Sequence, residues 1–178
     1  MNEIDIEPIR VMGTAAVSAA LGINRVGAQQ LLAGEVAGET YKDDRGGLQA
    51  LASAIERLKS WPTVEPTTPT LQVKVTAATW SDSEARWRGW HRRLPTPLRR
   101  DGVRGWWAVR EPDKLLGRTF VATMSGFVVE VATIVGYETG YGKRIFTLED
   151  PTDDALDLYS NVRLPPQAGA IIGLWNVS

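Results

Sequence analysis

Apolar residues in the first sixty positions recur at helical spacing. Residues 14–34 predict two short helices, with Gly22 at the turn, Asn24 as N-cap of the second helix and Gly34 at its end. Their apolar side chains can face one core: Leu21, Ile23, Ala28, Leu31 and Leu32. The next stretch, EVAGETYKDDRGGLQ, predicts a strand, a turn and a returning strand. Residues 48–59 predict an amphipathic helix.

Beyond residue 60 the pattern changes to the alternation that is typical of strands. Residues 60–70, SWPTVEPTTPT, contain three prolines and four threonines and predict an extended linker. Strands are predicted for LQVKVTA, WWAV, RTFVATM, FVVEVATIVGYE, KRIFTLED and AIIGLWNV, with a hairpin turn at residues 125–126. A capping box, SDSE at 81–84, predicts a helix to about residue 93, with Trp87 and Trp90 on one face. EPDKLLG and DPTDDALDLY predict short helical turns.

Composition narrows the class of protein. The 178 residues are 43% hydrophobic and 23% charged, which is typical of a folded domain. No apolar run is long enough to span a bilayer, and the acidic N-terminus lacks the apolar core of a signal peptide. The chain has no cysteine, which excludes disulfides and thiolate metal sites. We expect a cytoplasmic protein without membrane contact.

The segment TAAVSAALGINRVGAQQLLAGEV resembles the helix-turn-helix of excisionase-like and MerR-like winged DNA-binding domains. The matching features are Ser18 on the first helix, the Leu-Gly-Ile turn at 21–23, the polar N-cap Asn24, and the apolar positions of the second helix. The resemblance covers about the first 58 residues. It implies an N-terminal winged helix-turn-helix domain that binds double-stranded DNA. The alternative is a helical hairpin that packs against the rest of the chain or a partner.

By position in this motif, Arg25, Gln29 and Gln30 are the outward polar residues of the second helix, beside the cap Asn24. A recognition helix places such residues at base edges in the major groove. Arginine suits the O6 and N7 atoms of guanine, and glutamine suits N6 and N7 of adenine. Lys42 and Arg45, in the predicted wing, are candidates for phosphate contacts.

The formal net charge of −1 conceals an uneven distribution. Residues 1–60 carry −2, residues 61–120 carry +5 and residues 121–178 carry −4. In the middle segment arginines alternate with tryptophans, a pattern that favours phosphate contact and base stacking. The candidate DNA-binding arginines there are Arg86, Arg88, Arg92, Arg93, Arg99 and Arg100. The alternative is that the tryptophans are core anchors and the arginines pair with the acidic C-terminal segment.

The region from Val103 onward, beginning VRGWWAV and ending AGAIIGLWNV, resembles a small PUA-like β domain of uncharacterised bacterial proteins. That class includes readers of RNA and modified bases. The alternative is that the aromatic residues simply fill a barrel core. We therefore expect an α+β fold. It consists of a helix-turn-helix domain at 1–59, a linker at 60–70, and a mostly antiparallel, barrel-like domain with one or two helices at 71–178.

Candidate catalytic groups are few. His91 is the only histidine, and no G-x-S-x-G motif accompanies it. The segment GYETGYGK has the wrong spacing for a phosphate-binding loop and is followed by a predicted strand. The acidic stretch at 149–157 lacks the spacing of a calcium loop. We expect no enzyme activity, no cofactor and no metal.

These observations predict a sequence-specific double-stranded DNA-binding protein, such as a transcriptional regulator or a phage or mobile-element repressor. A protein partner or a second copy of the chain is also open. The alternative function is a protein-interaction module that binds a host factor without contacting DNA. An enzyme that uses a β-barrel pocket is a third interpretation.

Overall fold

The computed structural model describes residues 9–165 and 171–176, and within these ranges the chain combines helices and strands. This confirms the predicted α+β class. The strands are β1 Val11–Gly13, β2 Thr40–Lys42, β3 Leu48–Leu51, β4 Thr70–Lys74, β5 Thr79–Ser81, β6 Arg86–Arg88, β7 Gly105–Trp107, β8 Thr119–Met124, β9 Phe127–Gly140, β10 Lys143–Glu149 and β11 Ile172–Trp175. The helices are α1 Thr14–Leu21, α2 Arg25–Ala33, α3 Ala52–Lys59, α4 Thr96–Val103 and α5 Asp153–Tyr159, with a 3-10 turn at Pro112–Leu115.

The first sixty residues form a small sheet against three helices. The sheet is antiparallel in the order β1-β3-β2, and β2 and β3 form a hairpin. Helices α1 and α2 pack against each other, α1 contacts α3, and α2 contacts β3. The predicted helix over 48–59 is wrong in its first turn, because Leu48–Leu51 pair with β1 and β2 and the helix begins at Ala52.

The remainder is built on a curled, half-barrel sheet of six strands in the order β11-β4-β8-β9-β10-β7. All neighbours are antiparallel except the parallel pair β4 and β8. The register of β9 shifts once against β8 and once against β10, and such bulges increase twist and curvature. The predicted turn at 125–126 joins β8 to β9. The predicted strand AIIGLWNV is observed at 172–175, and its ends at 170 and 177 lie outside the described residues.

The predicted helix over 81–93 is wrong. Residues 79–81 and 86–88 form a separate two-stranded hairpin, in which the rings of Trp80 and Trp87 meet edge to face at 5.7 Å between centroids. Ala85, at φ 49°, and Gly89, at φ 95°, both leave the helical region. The helix of this segment lies later, at Thr96–Val103, with proline in its first turn.

One hydrophobic core runs through both parts of the chain. It contains Val17 and Leu32 from the first sixty residues together with Phe120, Phe127 and Phe146 from the sheet, all almost fully buried. The division into domains at 1–59 and 71–178 stays a prediction. Both segments contribute to this core. The predicted linker between them is joined to Arg163 by a hydrogen bond from the Val64 N–H to the Arg163 oxygen.

Candidate nucleic-acid interface

Local sequence explains the sharp turn between α1 and α2. Gly22 occupies the left-handed region at φ 64°, where glycine carries no steric penalty. Asn24 caps α2, since its side-chain oxygen accepts the Gly27 N–H at 2.7 Å. Ala28, Leu31 and Leu32 on the inner face of α2 are buried. The predicted cap is therefore confirmed, and the Asn24 side chain is engaged by its own helix.

The outward edge of α2 is exposed to solvent. It consists of Arg25, Val26 and Gln29, and 67% of the Val26 surface is accessible. Arg25 makes no ion pair with any residue in the described ranges. Two of the predicted base-contacting side chains thus lie together on one open edge.

The hairpin between β2 and β3 exposes Lys42 and Arg45. Asp43 shapes its tip, because one carboxylate oxygen accepts the N–H groups of Arg45 at 2.9 Å and Gly47 at 2.7 Å. Asp44 is exposed beside them, so the two basic and two acidic residues of the tip balance in formal charge. Strand β3 of this hairpin contacts α2.

The other side of α2 packs inside the molecule. The Gln30 side-chain oxygen accepts the backbone N–H of Ala77 at 2.7 Å. A Cβ atom at Gly27 would lie 2.5 Å from the Ser125 hydroxyl oxygen, and one at Gly34 would lie 3.0 Å from the Met124 methyl group. Because α2 closely approaches the turn between β8 and β9, the position in the middle of this helix requires glycine. Gln30 has a structural role through its hydrogen bond with Ala77.

Two predicted arginines lie on the β5–β6 hairpin. The Arg86 Nε atom is 2.7 Å from Glu84, and its guanidinium also donates to the backbone oxygen of Asp101 on α4. Arg88 is 2.9 Å from the same Glu84 carboxylate, with about half of its side chain exposed. Arg86 thus joins the hairpin to α4, whereas the Arg88 side chain is partly exposed to solvent.

Arg93 forms ion pairs with two carboxylates of the loop after α2. Its Nε atom donates to the buried carboxylate of Glu35 at 2.7 Å, and an Nη atom donates to Glu39 at 3.1 Å. Burial raises the pKa of Glu35, but Arg93, the Thr40 backbone and His91 together outweigh it and leave that pKa below its ordinary value. Glu35 therefore stays ionised as an internal partner.

Arg92 and His91 lie on the same loop. The Arg92 N–H donates to the Gly34 oxygen at 3.0 Å, while its side chain is exposed. His91 is half-buried, and its Nδ1 atom accepts the Arg93 N–H at 3.1 Å. The Arg92 side chain makes no ion pair with any described residue.

Arg99 and Arg100, on α4, lie close to the carboxylate of Glu130, near the start of β9. The Glu130 Oε2 atom accepts hydrogen bonds from Arg99 Nε and from Trp90 Nε1, each at 3.1 Å. Arg100 Nε lies 3.6 Å from Glu130 Oε1, and Arg100 Nη2 lies 2.7 Å from Asp150. Burial, the largest influence, raises the pKa of Glu130 above its ordinary value despite these partners.

The predicted contacts therefore divide into two groups. Those on α2, on the β2–β3 hairpin and on the loop before α4 remain open: Arg25, Gln29, Lys42, Arg45 and Arg92. Most of the others are engaged within the molecule. The sequence reasoning did not single out Glu35 or Glu130, although Glu130 is the lone charge in the apolar run FVVEVATIV, which was an available signal.

Among residues 9–165 and 171–176, no group of three or more histidine, aspartate or glutamate side chains is placed to hold a metal ion. Nor does any helix in this part of the chain have the length and apolarity to cross a bilayer. The chain matches no protein-family model, no curated protein and no solved structure.

Proposed function

We propose that this protein binds double-stranded DNA as a transcriptional regulator or repressor, with residues 11–59 acting as a winged helix-turn-helix. The observation that carries the proposal is the open edge of α2, where Arg25 and Gln29 lie together and Arg25 makes no ion pair with any described residue. Strand β3 of the β2–β3 hairpin contacts the same helix, and the hairpin exposes Lys42 and Arg45. A recognition helix accompanied by a hairpin with exposed cationic side chains can contact base edges and phosphates at once.

Each residue then has a distinct task. Arg25 suits the paired acceptors of guanine, and Gln29 suits the donor and acceptor of adenine in the major groove. Lys42 and Arg45 neutralise phosphates, which adds affinity without sequence preference. Gln30 is left out of this set because its oxygen already accepts the Ala77 N–H.

The central arginines contribute less to this interface than their number suggests. Arg86, Arg93, Arg99 and Arg100 are each held by at least one carboxylate within the molecule. A phosphate contact by any of them would compete with that internal pair. We therefore propose that phosphate affinity comes from the hairpin and from Arg92 rather than from the whole Arg/Trp segment.

Selection of bound fragments from random duplex DNA, followed by electrophoretic shift, tests this assignment. Gln29→Ala should relax the selected sequence with little loss of affinity for nonspecific duplex. The double change Lys42→Ala and Arg45→Ala should weaken binding to all duplexes alike. Asp44→Asn should strengthen it, since it removes a negative charge from the hairpin tip.

The matched control removes two exposed cations elsewhere, Lys59 at the end of α3 and Arg118 before β8. Their change to alanine should leave binding nearly unchanged. If it weakens binding as much as the hairpin variant does, net charge rather than this interface explains the affinity. The proposal fails if the wild-type protein shifts no duplex at low salt.

The packing of α2 favours a second function, a protein-interaction module. Gly27 and Gln30 lie against the β half of the chain, so that half flanks the helix and limits how deeply it can enter a groove. The exposed Trp80, 52% accessible, would then belong to a protein interface. This function predicts that no duplex is shifted, and that Trp80→Ala abolishes capture of a host protein while folding is retained.

A further inference from the structure

A cavity of about 600 Å³ lies where the two parts of the chain meet, and the proposed DNA interface does not use it. Its apolar walls include Val36, Trp61 and the fully buried Tyr159, and its polar wall is formed by Glu130, Arg99 and Arg100. The volume lies in the range of small-molecule sites, which combine apolar walls with a few fixed polar groups.

The Arg100 guanidinium is incompletely satisfied at this wall. Its Nε atom is buried and has no hydrogen-bond partner, since the nearest carboxylate oxygen, Glu130 Oε1, is 3.6 Å away. Its Nη2 atom is 2.7 Å from Asp150, whose side chain is 90% exposed. Nε and Nη2 form one of the two edges of a guanidinium that can bind both oxygens of a carboxylate.

The charges at the wall specify the ligand further. With Glu130 and Asp150 ionised, the two carboxylates balance Arg99 and Arg100. Asp150 is the only one of the four that is mostly in solvent. If it turns outward, one positive charge remains, and a monoanion would restore the balance. A phosphate dianion would leave excess negative charge beside buried Glu130, which is costly in a low-dielectric site.

We propose that this cavity binds a small apolar monocarboxylate, whose carboxylate replaces that of Asp150 on the Nε and Nη2 edge of Arg100. The apolar body of the ligand lies against Val36 and Trp61, which line the cavity and are only partly buried. The ligand thus contacts both the first sixty-one residues and the β half of the chain. This inference does not depend on DNA binding, and the two can fail separately.

Isothermal titration with a matched pair of probes tests the site. The probes are 3-phenylpropanoate and its uncharged amide, 3-phenylpropanamide, with inorganic phosphate as a charge control. The carboxylate should bind about tenfold or more tightly than the amide, because charge-assisted hydrogen bonds to arginine depend on the anion. Equal binding of acid and amide, tighter binding of phosphate, or no heat with any probe overturns the proposal.

Single-residue variants test whether 3-phenylpropanoate binds at Arg100. Asp150→Asn removes the competing carboxylate at an exposed position and should tighten 3-phenylpropanoate several-fold while leaving the amide unchanged. Arg100→Lys keeps the charge but removes the two-donor edge and should abolish the preference for the acid. Arg88→Lys, outside the cavity, is the matched control and should behave as wild type. An Asp150→Asn protein with unchanged or weaker affinity for the acid contradicts the proposal, whatever the stability of the Arg100 variant.

Discussion

The neighbouring glutamines of α2 provide a direct comparison between an internal and an exposed role. Gln30 accepts the Ala77 N–H at 2.7 Å across a sequence separation of 47 residues, whereas Gln29 points into solvent. Ala77 is buried, and among the described residues no other acceptor takes its N–H. Gln30→Ala therefore removes a hydrogen bond and also leaves a buried donor without a partner.

The expected loss in the free energy of unfolding follows from the Ala77 N–H that is left without a partner. An unsatisfied buried polar group costs about 1–3 kcal/mol, whereas a surface substitution changes the free energy of unfolding by about 0.5 kcal/mol or less. Both glutamines lie within the same helix, so the gain in helix propensity on changing either to alanine is the same and cancels in the difference. For a chain of this size, each kcal/mol lowers Tm by about 2–4 °C.

Urea unfolding of Gln29→Ala, Gln30→Ala and Gln30→Met measures the effect. Gln30→Met keeps the side-chain length and removes the acceptor, so it should lose most of the same free energy, whereas Gln29→Ala should match wild type. In a DNA shift assay the variant with the larger effect should be the other one, because Gln29→Ala should alter sequence preference and Gln30→Met should retain it. Equal destabilisation by the two alanine variants would refute the assignment of an internal role to Gln30.

Three further changes test the internal network. The pKa of Glu35 is lowered in the folded state, so its ionised carboxylate stabilises the fold at any pH above its ordinary pKa. This contribution to the free energy of unfolding is lost as the pH falls through the lowered pKa. In urea unfolding at a series of acidic pH values, Glu35→Gln should therefore show a smaller loss of stability than wild type. Glu130→Gln leaves two guanidinium groups without their buried partner and should cost toward the lower end of about 3–5 kcal/mol, because both arginines keep some solvent contact. Gly89→Ala should lower Tm at a cost above about 1 kcal/mol, since φ is 95° and a Cβ would lie 2.5 Å from the backbone oxygen of Thr76; a wild-type melting curve would contradict this.

The hairpin at 79–88 shows where local sequence signals compete. SDSE is a helix-capping pattern, but the flanking TWS and RWR triplets alternate with the period of strands. The strand pattern is the one adopted, because Trp80 and Trp87 pair across the hairpin and Arg86 donates to Asp101 on the next helix. The capping box spans four residues, whereas these stabilising contacts join residues that are seven and fifteen apart.

The candidate interface was predicted only in part for a similar reason. The turn at Gly22 and the cap at Asn24 follow from local chemistry, and both are observed. The packing of Gly27 on Ser125 and of Gln30 on Ala77 depends on how the curled sheet meets α2, which no local pattern encodes. The alternation of arginine and tryptophan likewise could not reveal that most of these arginines have internal carboxylate partners.

The salt dependence of duplex binding tests the central claim most directly. Each phosphate contact contributes about 0.9 to the slope of log K against log salt concentration. For the double change of Lys42 and Arg45 to alanine, we expect a slope shallower than wild type by up to about 1.8, for all duplex sequences. An unchanged slope, or no duplex binding by the wild-type protein even at low salt, would contradict it.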